Sequence, residues 1–278
     1  MNEKGHNTQA VMSFFISNGF GRPLINKNIL SYQRLSVICL FLFTLLCSLH
    51  CPAKNMRYAS LIIDDLGNNL AHARQLINLP AVLTFSILPQ TRYAKIIARD
   101  AIKHHREVML HLPLQSIENR RESPGTLELH MTKRQFLQQL RKDIDAVPYI
   151  SGINNHMGSL LTRHPGYMDW LMAEIGRRKH LFFVDSRTTS RTIAGQIARE
   201  HAIPTITRDV FLDPDNKLSS LKTQFHRFMK LIKQRGYALA IAHPHPKTIM
   251  FLKAHLNELK QQGIRLVPVS KLIKLYGQ

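Results

Sequence analysis

The chain has almost no cysteine where a fold could use it. Its three cysteines, Cys39, Cys47 and Cys51, lie in or beside one apolar segment, and none follows residue 53. A disulfide framework is therefore excluded for everything after that segment, and thiols carry no information about the compartment. Three motifs are missing as well: the GxSxG elbow, the GxxxxGK[ST] loop and the GxGxxG turn. Their absence argues against serine hydrolases and nucleotide-dependent enzymes. No zinc-finger spacing, RNA-binding aromatic signature, internal repeat or low-complexity tract is present either. Acidic residues are scarce: 18 Asp and Glu face 38 Lys and Arg, for a formal charge of +20 over 278 residues.

Residues 1–53 hold four basic residues and one acid, which leaves +17 on the remainder. Such a balance implies an anionic partner: nucleic acid, a membrane surface or an anionic envelope polymer. The basic residues are spread through predicted helices and form no basic arm, so nucleic acid is not expected. Leu35 to Leu49 is an apolar run of fifteen residues preceded by Lys27 and Arg34. A membrane span needs about 20 residues, so the run suits the hydrophobic part of a secretory signal. Small residues around Cys51-Pro52-Ala53 could precede a cleavage site, and otherwise the run stays as an uncleaved anchor. The expected organisation is a targeting segment over 1–53 and one domain over 54–278. The domain would be exported to a bacterial periplasm and tied to the membrane only through the first segment.

The domain is organised around Tyr58 to Asn69, YASLIIDDLGNN. An Ile-rich run bounded by Gly67 and two asparagines reads as a buried strand. It ends in two adjacent carboxylates, Asp64 and Asp65, which repel each other and resist desolvation. A metal ion or a shared proton would balance them; Asp65 alone could equally cap the next helix. Downstream, strands are expected over 82–88, 107–112, 149–154, 181–184, 204–212, 237–242 and 264–267. Helices fall between them, and a long polar stretch before His130 reads as a functional loop. Thr132 with Gln135 spells a capping box. Alternating strands and helices demand a parallel α/β sheet, open and doubly wound or closed as a barrel.

The polar residues sort to the strand ends: Asp64-Asp65, His111, Asn154-Asn155-His156, Asp185-Ser186-Arg187, Arg208-Asp209 and His243-Pro244-His245. Active sites of parallel α/β folds form at these carboxyl ends, and contributions from so many strands favour the barrel. Carboxylate plus imidazoles from different strands is a ligand set for zinc or a similar divalent ion. Of Asp64 and Asp65, one could hold the metal while the other takes a proton from water. His243 could donate to the leaving group, oriented by Asp185 or Asp209. Asn155, Arg187 and Arg208 are candidates for substrate binding, though the two arginines could instead neutralise Asp185 and Asp209. A core role for His111 and a surface role for His156 are the plain alternatives to ligation.

Taken as a set, IIDDLGNN (62–69), TFSILP (84–89), EVMLHLPLQS (107–116), GINNHMGSLLT (152–162), FFVDSRTT (182–189), RDVFLD (208–213) and AIAHPHP (240–246) resemble the divergent polysaccharide deacetylases, relatives of carbohydrate esterase family 4. The resemblance implies a distorted (β/α)7 barrel and metal-dependent removal of acetyl groups from a polysaccharide. It matches Asp64 to the general base and Asp65 to the metal aspartate. His243 matches the histidine of a closing Leu-x-His motif, here Ile241-Ala242-His243. Intact members draw two metal histidines from His-x-x-x-His, but here Gln115 stands four residues after His111. A second histidine must come from elsewhere, with His156 the first choice and His245 behind it. Beside this deacetylase reading stand a non-catalytic glycan- or partner-binding protein on the same fold and a metal-dependent phosphoesterase.

Overall fold

The computed structural model describes residues 56–118, 123–215 and 217–277. The targeting segment expected over 1–53 lies outside them. Among the described residues no helix is long and apolar enough to cross a membrane. The described residues form one compact unit.

Its frame is a parallel sheet curled on itself. β1 (Arg57–Leu66) lies between β2 (Thr84–Ile87) and β8 (Tyr237–Ala242). The path continues from β2 through β3 (Glu107–Leu114), β4 (Gly152–Met157) and β5 (Phe182–Asp185) to β6 (Thr205–Thr207). The other edge is β7 (Val210–Phe211), paired to β8. β6 and β7 are the halves of one interrupted strand, so the two edges of the sheet meet. The Arg208 amide donates to the Asp185 carbonyl at 3.0 Å, and the next amide, Asp209, donates to Leu239 of β8 at 2.9 Å. The ring therefore closes with seven strand positions, each followed by a helix: α1 (Leu70–Ile77), α2 (Ala94–Lys103), α3 (Lys133–Ala146), α4 (Pro165–Gly176), α5 (Ala194–Glu200), α6 (Leu218–Arg235) and α7 (Pro246–Gln261). This is the distorted (β/α)7 barrel. The capping box at the start of α3 forms as its sequence predicts.

Side chains alternate along each strand, as period two requires. Leu61, Ile63, Leu110, Ile153, Phe183 and Ala240 pack in the cluster that includes the helices' apolar faces. Their neighbours Ile62, Met109, Val184, Leu239 and Ile241 belong to a second cluster, the barrel interior. β9 (Ile264–Leu266) pairs with the first residues of β1, beside the stretch that β2 occupies. α8 (Val269–Tyr276) then crosses the amino ends of the strands. Val269 donates to Thr84 Oγ1, and Leu272 and Ile273 join the interior cluster. The amino end of the barrel is thus plugged with apolar side chains, and the polar residues are left to the carboxyl end.

Gly152 shows how tightly the interior is filled: a Cβ there would sit 2.3 Å from the Phe182 ring. Gly152→Ala is expected to lower unfolding free energy by about 1–3 kcal/mol, read from urea denaturation. Phe182→Leu in the same chain should recover part of the loss.

Two strands differ from the sequence expectation in ways that matter for the site. β4 starts and ends three residues later than 149–154, because Tyr149 takes a left-handed turn (φ +66) after α3. His156 is consequently a strand residue and not part of a turn. The strand expected over 204–212 breaks at Arg208-Asp209, where its two halves serve different neighbours.

Candidate active site

At the carboxyl end of β1 the chain makes a bulge. Ile63 pairs with Phe85 and Leu66 with Ile87, so three steps on β1 answer two on β2. The extra residue is absorbed at Asp65, whose φ is +56. In a regular strand adjacent side chains diverge; the bulge re-aims Asp65 so that both carboxylates face the barrel mouth. Asp and Asn are among the few side chains that tolerate this backbone.

Three atoms from three strands converge there. Asp65 Oδ1 lies 3.1 Å from His111 Nε2 and 2.9 Å from His156 Nδ1, and the two nitrogens are 3.1 Å apart. The His156 Nδ1–His111 Nε2 contact is within hydrogen-bond geometry, whereas the two contacts of Asp65 Oδ1 are short but misdirected, and this buried oxygen has no hydrogen-bond partner. One orphaned oxygen and two imidazole nitrogens aimed at a common point fit a divalent cation. The site attracts positive charge in any form. Burial opposes ionisation of Asp65, yet His111 and His156 outweigh it and hold the carboxyl far below the usual range. Burial likewise disfavours a charged His111, but Asp64 first and then Asp65 raise its pKa.

Behind the cluster sits Asn154, a strand-end residue to which the sequence alone assigns no role. Its Nδ2 donates to both oxygens of Asp64 (2.9 and 3.1 Å) and to Ser186 Oγ at 3.1 Å. Its Oδ1 accepts from Ser86 Oγ at 2.6 Å and from His111 Nδ1 at 2.9 Å. A proton on Nδ1 leaves the lone pair of neutral His111 on Nε2, the atom facing Asp65. One buried amide therefore orients both the Asp64 carboxylate and the His111 imidazole. Period two was the available signal: Asn154 shares the inward face of β4 with His156 and is the register partner of His111. Gln115, standing where a second metal histidine would be, accepts the Leu129 amide through Oε1 at 2.8 Å and so anchors the loop before α3. That loop returns Ser123 Oγ to 3.3 Å from His156 Nε2.

His243 lies across the mouth, its Nε2 4.0 Å from Asp65 Oδ2. Its orienting carboxylate is neither Asp185 nor Asp209 but Asp213. Asp213 Oδ1 lies 2.9 Å from His243 Nδ1, and Oδ2 accepts from the His243 amide and Thr248 Oγ1, both at 2.8 Å. Burial pulls the His243 pKa down, but Asp213, with Asp65 and Asp64 behind it, carries it up to about 9. Asp185 is buried under its own turn, accepting from the amides of Arg187 and Gly195 and from Thr192 Oγ1. Asp209 is occupied by the Leu239 amide and Arg235. The strand break hid Asp213: the ladder resumes for two residues beyond Arg208-Asp209, and the carboxylate that meets His243 follows that second end.

The remaining expected residues divide. Asn155 lines the cleft, but its amide is taken by the Met157 carbonyl and the Ser186 amide, so it braces β4 against β5 rather than meeting a ligand. Arg208 donates to the Ser186 and Arg187 carbonyls and lies over the Phe211 ring at 5.2 Å. Arg187 also lines the cleft. His245 stacks beside His243, 5.9 Å between centroids, outside the three-atom cluster. The cleft lined by Asp64, Asp65, His111, His156, Arg187 and His243 has a volume of about 440 Å³.

Residues 61–273 match the family model described as divergent polysaccharide deacetylase. The chain belongs to that family. It is 33% identical over 213 residues to an uncharacterized protein of Haemophilus influenzae, covering 77% of this chain and 75% of that one. It is 32% identical over 231 residues to the uncharacterized protein YibQ of Escherichia coli, covering 83% and 72%. An uncharacterized protein from Agrobacterium tumefaciens shares the fold, with a TM-score of 0.75 at 21% identity, over 79% of this chain and 90% of that one.

Proposed function

We propose that this member of the divergent polysaccharide deacetylases is an exported, metal-dependent hydrolase that removes acetyl groups from an envelope polysaccharide. The observation that carries the proposal is the convergence of Asp65 Oδ1, His111 Nε2 and His156 Nδ1, with the Asp64 carboxylate and the His243 imidazole lining the same cleft. This donor set favours zinc with positions left open. When bound, such an ion supplies Lewis-acid chemistry, polarising the acetyl carbonyl and easing deprotonation of a water. Asp64 takes the proton from the attacking water, its two oxygens aimed by Asn154. His243, charged and held by Asp213, returns a proton to the departing nitrogen or oxygen as the bond to the acetyl carbon breaks. Acetate and the deacetylated sugar are the products.

Export rests on the apolar run Leu35–Leu49, and the charge of +20 suits an anionic polymer in the envelope. The test is acetate release from an acetylated oligosaccharide by zinc-loaded protein. Asp64→Asn is expected to lower the rate by about 10²–10⁴-fold while zinc content stays near that of wild type. Stoichiometric zinc without any acetate release would overturn the hydrolase. Glycan binding with neither metal nor turnover would favour the non-catalytic reading, on whose side stands the replacement of a ligand position by Gln115.

A further inference from the structure

Beyond the metal cluster, the cleft has a second wall with its own chemistry, running from the proton donor outward. The His243 ring meets Phe211 edge to face at 5.0 Å, the Arg208 guanidinium covers Phe211, and Arg208 holds the Arg187 carbonyl at 2.8 Å. Arg187 itself sits at φ +49, a conformation rare for a long side chain, with its amide locked 2.9 Å from Asp185 Oδ1. Thr188 Oγ1 ties the next residue to the Met157 carbonyl at 2.8 Å. The turn is therefore built rather than loose, and it presents Arg187 to the cleft. Among the described residues the Arg187 guanidinium has no hydrogen bond or ion pair, whereas that of Arg208 is engaged with backbone carbonyls. Strain at a non-glycine residue, beside an unspent planar donor fork in a cleft, points to a ligand.

Charge in the cleft agrees. Asp64, Asp65 and Glu118 share the cleft lining with Arg187 and Arg208. A divalent cation on the cluster would leave the cleft net positive. His243 protonates the leaving group, so the sugar that departs from the acetyl carbon lies along the wall that begins at His243. Phe211 and Arg187 line the same cleft, an apolar ring and a planar donor group within one wall.

We propose that the cleft selects an acidic glycan, with Arg187 pairing a carboxylate carried by the leaving sugar or by the residue linked to it. The inference deepens the deacetylase proposal by naming its substrate class and rests on it for the direction of the leaving group.

The experiment compares two probes with the zinc-loaded full-length protein: a hyaluronan hexasaccharide, in which glucuronate alternates with N-acetylglucosamine, and chitohexaose, which lacks carboxylates. Binding is measured by calorimetry at low salt, and acetate release is measured separately. Wild type is expected to bind the acidic probe about tenfold more tightly. Arg187→Asn is expected to abolish that preference by weakening the acidic probe far more than chitohexaose, with zinc content unchanged; asparagine tolerates the left-handed backbone, so the turn survives. Arg187→Lys, which keeps the charge without the fork, should restore part of the preference. Equal affinity for the two probes, absence of binding to the acidic one, or equal weakening of both in Arg187→Asn overturns the proposal. The two proposals fail separately. Acidic preference without acetate release overturns the hydrolase and supports the acidic-glycan site, whereas equal release from both probes overturns the site and supports the hydrolase.

Discussion

Asp65→Asn protein reconstituted with zinc and desalted is expected to come back empty, while wild type retains about one ion per chain. The substitution is chosen for its backbone. Alanine at φ +56 would strain the bulge and confuse a lost ligand with a lost turn, whereas asparagine holds the same conformation. What changes is charge and donor strength at the one atom that lies within 3.1 Å of both imidazole nitrogens. Weakening even an outer partner of a metal site costs roughly 10–100-fold in affinity, so losing an inner carboxylate should exceed that. A second readout is thermal: zinc at 100 times its dissociation constant should stabilise wild type by about 2.7 kcal/mol and raise its melting temperature, with little effect on the variant. His245→Ala serves as the control and should keep its zinc, because that ring stacks on His243 away from the cluster. Full metal content in Asp65→Asn would remove this residue from the ligand set.

Much of this site is legible in the sequence. Residues that end apolar strands of a parallel α/β chain must gather at one end of the sheet, and that rule alone brought Asp64, Asp65, His111, His156 and His243 together. Where the reading fell short, the cause was local backbone geometry. The bulge at Asp65 makes two adjacent side chains share a direction that period two would deny them. The break at Arg208-Asp209 sends one strand to two neighbours and moves its functional end to Asp213, so Asp185 and Asp209, both reasonable from spacing, proved to be occupied with backbone amides. Asn154 was missed for a different reason. An asparagine buried on an inward face has no motif of its own, and its importance follows from its hydrogen-bond partners, which only the closed ring supplies. Asn155, one residue on, looks equivalent in the sequence and faces the other way, bracing β4 to β5.

The His243–Asp213 pair makes the other large prediction, and its sign can be worked out in two independent measurements. A general acid acts while protonated, so kcat/KM should fall as pH rises through the pKa of His243, which the neighbouring Asp213 raises against burial. Asp213→Asn removes the adjacent charge and leaves burial, which favours the neutral ring, less opposed. The alkaline limb should move to lower pH by at least about one unit, since a close opposite charge is typically worth 1–3. His243→Gln should lose about 10²–10⁴-fold in rate and that limb with it, with zinc content intact. Stability of the metal-free protein gives the check that needs no turnover. Between pH 6.5 and about 9 the folded chain binds a proton at His243 that the unfolded chain has released. The associated stabilisation is thus fully present below pH 6.5 and is lost as pH rises through 9. Urea midpoints across that window should decline in wild type, and the His243 contribution to the decline should shrink in Asp213→Asn. Identical pH profiles for the two proteins, in rate and in stability alike, would mean that Asp213 only braces the loop and does not set the charge of His243.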